Sequence, residues 1–155
     1  MIRLLVVDDQ RLIRRCVTAR LNSVERFTVV GEAASGEQAR ELLRNEPVDI
    51  VLMDLNMPGI GGIEATKRFL SVDPKLKIIG LSMYTKGPYP RLFLENGGLG
   101  YVSKSADSDD LFKAIDMVYR GQPYISRDVA QEIAVGNVGE GGEDMLETLS
   151  AREIQ

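Results

Sequence analysis

The chain has 155 residues and a formal net charge of -4, from 19 Lys plus Arg against 23 Asp plus Glu with no histidine. Hydrophobic residues make up 44% and charged residues 27%, which admits a sizeable core and excludes disorder throughout. No apolar run approaches the roughly 18 residues of a membrane span, the single Cys16 allows no internal disulfide, and the lack of His removes the usual zinc sets and the His-containing triads.

A cytoplasmic location is expected, and any catalysis must rest on carboxylates, lysine or hydroxyls. From the N-terminus, apolar runs alternate with amphipathic segments: 4–7 then 12–21, 27–30 then 38–43, 50–53 then 63–70. The alternation continues through 78–81, a segment around 92–94, the short pair Tyr101 and Val102, and Leu111, Ala114, Ile115 and Val118 at helical spacing. This is a strand-helix repeat, with five strands and five helices in about 120 residues. The first and third runs are continuously apolar, as in strands of a parallel sheet buried on both faces, so helices must cover both. Ser35 and Ser108 signal helix starts, and Gly97, Gly98 and Gly121 signal ends.

Gly87, Pro88 and Pro90 stand where a fourth helix would begin, so that helix is expected to start late and be short. An additional helix is expected within 123–135, from the amphipathic stretch 127–135. The segment 136–147 has four glycines and four acidic residues without Lys or Arg, the composition of a flexible linker. Residues 148–155 regain apolar spacing behind a Ser150 to Glu153 capping box and read as the first turns of a further helix. Charge divides along the same line: residues 1–135 carry 18 basic and 18 acidic side chains, residues 136–155 carry 1 and 5.

In open parallel sheets, ligands sit at the carboxyl ends of the strands, near the point where strand order reverses. The polar residues at those ends are Asp8 and Asp9, Asp54, Ser82 and Lys104. Carboxylates about 4 Å apart repel by roughly 4 kcal/mol per pair at an effective dielectric near 20, so something cationic must hold them together. All-oxygen donors favour a hard ion, and Mg2+ accepts a few carboxylates while keeping waters for a phosphate. Lys104 supplies a second positive charge. A carboxylate in such a setting can accept a phosphoryl group, and Asp54, at the end of the central strand, is the expected nucleophile, with Ser82 able to bond a phosphate oxygen.

The set Asp8, Asp9, Asp54 within Met-Asp-Leu-Asn-Met-Pro-Gly, Ser82 and Lys104 resembles the receiver domain of bacterial two-component response regulators over residues 1–122. The texts at 87–90, 100–105 and 121–126 are similar to the GacA/UvrY/SirA type of the NarL/FixJ (LuxR-type) subfamily, and 148–155 looks like the start of that subfamily's helix-turn-helix, severed after its first turns. The resemblance implies a doubly wound α/β fold with a five-stranded parallel sheet of order 2-1-3-4-5. It also implies phosphorylation of Asp54 by a partner histidine kinase. Mg2+ would be bound by Asp9, Asp54 and the Asn56 carbonyl, with Asp8 assisting through water. Ser82 and Tyr101 would form the switch pair, the aromatic swinging inward behind the hydroxyl. Control of a C-terminal DNA-binding domain and homodimerisation on phosphorylation follow from the same likeness, with no membrane partner. The chain is then a switch rather than an enzyme with a turnover substrate, limited to self-phosphorylation and self-dephosphorylation. Ser105 departs from the proline that many receivers carry after the lysine, and a cis Lys104-Ser105 peptide would cost about 2.5 to 4 kcal/mol.

Each residue also has a plainer role. Asp8 and Asp9 alone suit a helix N-cap, Ser82 a turn hydroxyl, and Tyr101 ordinary core. Arg11, Arg14 and Arg15 are expected on the solvated outer face of the first helix, a candidate kinase docking surface. Cys16 reads as a small buried filler, and Met53 and Met57 as packing residues. A stand-alone receiver acting through protein contacts is the alternative, which the start of a helix at 148–155 disfavours. A flavodoxin-like carrier would set its flavin phosphate against Asp8 and Asp9, which is electrostatically wrong. An aspartyl phosphatase lacks a second acid two residues beyond Asp54.

Overall fold

The computed structural model of the chain describes residues 1–57, 61–83, 88–127 and 129–131. The segments 136–147 and 148–155, expected to be a linker and a helix start, lie outside them, as do Gly87 and most of 127–135. Among the described residues, β1 (Ile2–Val7), α1 (Arg11–Asn22), β2 (Phe27–Ala33), α2 (Gly36–Asn45), β3 (Ile50–Asp54) and α3 (Gly61–Val72) alternate. They are followed by β4 (Lys77–Ser82), α4 (Tyr89–Glu95), β5 (Gly100–Ser103), α5 (Ser108–Tyr119) and β6 (Tyr124–Ile125). The sheet is parallel with order β2-β1-β3-β4-β5-β6. Five of these strands and their order are those expected from the sequence. The sixth is a two-residue addition in which Gly100 pairs with Tyr124 and Tyr101 with Ile125.

The two cores follow from the period-2 geometry of the strands. Leu5, Val7, Val51, Met53 and Ile78 point to one face, where Ala39, Ala65, Phe69, Phe93 and Leu94 of α2, α3 and α4 cover them. Leu4, Val6, Ile50, Leu52, Ile79 and Leu81 point to the other, against Leu21 of α1 and Leu111, Ala114, Ile115 and Val118 of α5. Runs such as 4–7 and 50–53 therefore have no polar alternation to show, because each residue in them meets a helix on one side or the other. Met53 and Met57 are buried packing residues, as expected.

The local punctuation acts largely as read. The Ser35 side chain accepts the Gln38 amide and caps α2, whereas α5 is capped one residue earlier than expected, by Asp107 accepting the Asp110 amide. Gly97 and Gly121, just beyond α4 and α5, have φ of 107° and 83°, which favours glycine. Helix α4 has 7 residues and begins behind Pro88, with Pro90 in its first turn, so it is late and short. Two expectations are corrected. Cys16 is exposed on α1 rather than buried. Arg14 does not share the solvated face of Arg11 and Arg15: its side chain is only 14% exposed and turns back toward the start of α1. No cis peptide occurs among the described residues, so the Lys104-Ser105 bond is trans.

Candidate functional site

Strand order reverses between β1 and β3, and the first acidic residues beyond β1 and the last residue of β3 meet there. Asp8, Asp9 and Asp54 each offer a carboxylate oxygen within 4.8 Å of the others. Asp8 and Asp54 are buried and Asp9 is exposed. Lys104, one residue beyond β5, reaches across the sheet edge: its Nζ lies 2.9 Å from Asp54 Oδ1 and 3.4 Å from Asp8 Oδ2. Three carboxylates against one ammonium leave two negative charges uncompensated in a partly desolvated site, which suits a divalent cation with oxygen preference.

Backbone amides fix two of the acids. The Gln10 amide donates to Asp8 Oδ1 at 2.8 Å, and the Asn56 amide donates to Asp54 Oδ1 at 2.9 Å. Helix capping is thus not what the acidic pair does: the N-cap of α1 is Gln10, with no side-chain cap bond. The β3–α3 turn is held to β4 by the Leu55 amide on the Leu81 carbonyl at 2.9 Å. The Asn56 side chain looks toward β4, its Oδ1 accepting from the Ser82 hydroxyl at 3.3 Å and from the Met83 amide at 3.1 Å.

Ser82 and Tyr101 are diagonal neighbours on one face of the sheet because β4 and β5 pair with Gly80 opposite Tyr101 and Ser82 opposite Ser103. Tyr101 is wholly buried, its ring edge-on to Phe93 of α4 at 6.0 Å between centroids. Burial pushes its phenol above the usual pKa, and a side-chain hydrogen bond with Ser82 offsets part of that rise, while Tyr89 adds a smaller upward push. The aromatic of the expected switch pair therefore sits inward, coupled to the hydroxyl. Beyond Lys104, the proline position is filled by Ser105, whose amide donates to Ser103 Oγ at 3.2 Å and whose hydroxyl shares a 2.7 Å hydrogen bond with it.

All the site residues singled out from the sequence, namely Asp8, Asp9, Asp54, Asn56, Ser82, Tyr101 and Lys104, lie at this one edge. Two others were not anticipated in that role. Arg14 Nη1 donates to the Asp8 carbonyl at 2.7 Å, and its Nε donates to Glu32 Oε1 at 3.2 Å. Beside the site runs a groove of about 330 Å³ between α1 and α5, bordered by Leu12, Cys16, Met83, Leu111 and Lys104. Leu12 and Met83 are 77% and 66% exposed.

These features define an acidic receiver edge, and the chain belongs to the response regulator receiver domain family, whose model matches residues 4–116. It is 42% identical over 156 aligned positions to the response regulator UvrY of Escherichia coli (strain K12), covering 100% of this chain and 72% of that protein. It is 40% identical to the response regulator GacA of Pseudomonas aeruginosa, covering 100% of this chain and 73% of that one. Among solved structures it is similar to a LuxR-family two-component response regulator from Aurantimonas sp. SI85-9A1, with TM-score 0.84 and 37% identity over 88% of this chain and 97% of that chain. The isolated REC domain of RcsB from Salmonella enterica serovar Typhimurium, solved with phosphomimetic BeF3-, aligns with TM-score 0.78 and 25% identity, covering 84% of this chain and 97% of that one. The chain is therefore a receiver of the UvrY/GacA type, as the sequence resemblance implied. No helix among the described residues is long and apolar enough to cross a membrane.

Proposed function

We propose that the chain is a cytoplasmic phosphorylation switch in which Asp54 accepts a phosphoryl group from a phosphohistidine of a partner kinase. The observation that carries this reading is the triad of carboxylates within 4.8 Å, with Lys104 Nζ at 2.9 Å from Asp54. The Asp54 carboxylate forms the new O–P bond as the P–N bond of the phosphohistidine breaks; the imidazole nitrogen keeps the electron pair and takes a proton from solvent. Asp9, Asp54 and the Asn56 carbonyl, with Asp8 through water, would hold Mg2+, which supplies charge neutralisation to the transferring phosphoryl oxygens. Lys104 contributes the same from the protein side, and Ser82 donates to a phosphate oxygen.

Leaving Asn56 for the phosphate loosens the tie of Ser82 to its present partners, including Tyr101, and repacks the surface formed by α4 and β5. The groove flanked by Leu12 and Met83, with Arg11 and Arg15 outside it, is the docking surface for the kinase. The output is control of a DNA-binding domain C-terminal to the receiver, with homodimerisation on phosphorylation. The chain has no turnover substrate; its own chemistry is limited to self-phosphorylation from small donors and self-dephosphorylation.

Acetyl phosphate or beryllofluoride with Mg2+ should modify Asp54 and shift the NMR environments of Ser82 and Tyr101. Unchanged spectra, or modification that survives Asp54→Asn, sink the mechanism.

A further inference from the structure

We infer that Arg14 is a positioning residue for the cation site, holding the turn from which Asp9 projects. The inference rests on reading the carboxylate cluster as a Mg2+ site.

Asp8 is held at both ends. Its carboxylate accepts the Gln10 amide at 2.8 Å and meets Lys104 at 3.4 Å, and its backbone carbonyl accepts Arg14 Nη1 at 2.7 Å. Asp9 has no such support: among the described residues no hydrogen bond or ion pair reaches its exposed carboxylate. Its place in the cluster is therefore set by its backbone. The Asp8 carbonyl and the Asp9 amide belong to one planar peptide unit, so a donor that fixes the carbonyl fixes the plane from which the Asp9 side chain departs.

Arg14 is itself anchored. Its Nε donates to Glu32 at 3.2 Å, near the end of β2, and Glu32 stands opposite Val6 in the β1–β2 ladder. One guanidinium thus ties the start of α1, the β1–α1 turn and the end of β2 together. Its planar fork presents donors in fixed directions, which an ammonium cannot reproduce.

The sign of the effect distinguishes this role from a bystander charge. Arg14 is a cation close to a cation site, so if it acted by charge alone, removing it would tighten Mg2+ binding. If it positions Asp9, removing it weakens binding.

The test is a titration of the 155-residue chain with Mg2+ alone, by calorimetry and by amide shifts, for the native protein, Arg14→Gln, Arg14→Lys and Glu32→Gln. Partners one shell away from a ligand typically alter metal affinity 10- to 100-fold. Arg14→Gln and Arg14→Lys are expected to bind Mg2+ about tenfold more weakly, with amide changes before metal addition confined to the β1–α1 turn and the end of β2. Glu32→Gln, which removes the charge of the guanidinium's anchor and so weakens it, should show a smaller loss and keeps the idea testable if the Arg14 variants fail to fold. A folded Arg14→Gln protein that binds Mg2+ as tightly as the native chain, or more tightly, overturns the inference, as does a Lys variant of native affinity. Native protein that binds no Mg2+ overturns the cation-site reading itself, a result distinguishable because it appears before any substitution.

Discussion

At the scale of single residues, the site depends on close approach as much as on charge. Helix α3 begins against the phosphoacceptor turn, and a Cβ on Gly62 would lie 2.5 Å from the Asp54 carbonyl oxygen and 2.8 Å from Leu55 Cα. Both atoms are backbone, so nothing flexible can give way. Gly62→Ala should therefore displace the first turn of α3 or the turn at Asp54, at a cost of about 1–3 kcal/mol, the usual range for overpacking. Chemical denaturation reads the loss, and amide shifts at Asp54 and Leu55 locate it; an Ala variant as stable as the native chain, with those shifts unchanged, counts against the packing argument. The acids and Lys104 were legible in the sequence because strand ends converge in a parallel sheet. Gly62 was not, since a glycine near a helix start looks like a loop residue until the neighbouring backbone is placed. Arg14 and Cys16 were misplaced for a related reason. A helix of 3.6 residues per turn sends Arg14 back toward the turn that precedes it, while Arg11 and Arg15 face solvent, and the shallow groove beside α1 leaves Cys16 uncovered.

Among the elements, the short ones were the hardest to read and carry the most specific ties. The proline pair made the late start of α4 legible, because Pro restricts where a helix can begin. Strand β6 was not legible: two residues carry no period. Its role emerges only from its partners. The Ser126 amide donates to the Tyr101 carbonyl at 3.0 Å, and Ser126 Oγ accepts the Ser103 amide at 3.4 Å. Ser126 is fully buried, and Val129, in the turn that follows, is buried in the core that also holds Tyr101 and Phe93. The segment after α5 is thus bonded directly to the strand that carries Tyr101 and leads to Lys104. Ser126→Ala should cost about 1–3 kcal/mol, the penalty of leaving a buried amide without its acceptor. Hydrogen exchange provides the sharper reading: the Ser103 amide should lose protection more than the amides of β1 or β3. Uniform loss of protection across the sheet would instead mean that Ser126 contributes only general stability.

Over the whole molecule, charge is distributed unevenly. Residues 1–135 are balanced at 18 basic and 18 acidic side chains, so the net charge of -4 lies in 136–155 and the receiver itself repels neither an acidic nor a basic partner by net charge. The sheet ends at β6, which is tied to α5 where the Tyr124 hydroxyl donates to Asp110 Oδ1 at 3.1 Å. Desolvation first, then the hydrogen bond and the negative charges of Asp110 and Asp107, push the Tyr124 pKa up to about 12, against a smaller opposite pull from Arg127. An unfolded tyrosine titrates near 10. With the folded pKa raised, the unfolded chain releases its proton first as pH increases, so the contribution of this contact is complete below about pH 10 and is lost as pH rises towards about 12. Tyr124→Phe lacks the hydroxyl and has nothing to lose in that window. The stability difference between the native chain and Tyr124→Phe, measured by urea unfolding at matched pH, should hold constant up to about pH 10 and shrink towards zero or reverse by about pH 12. Alkaline effects common to both proteins cancel in that difference, so a gap that persists unchanged through the window would show that the hydroxyl does not hold β6 to α5.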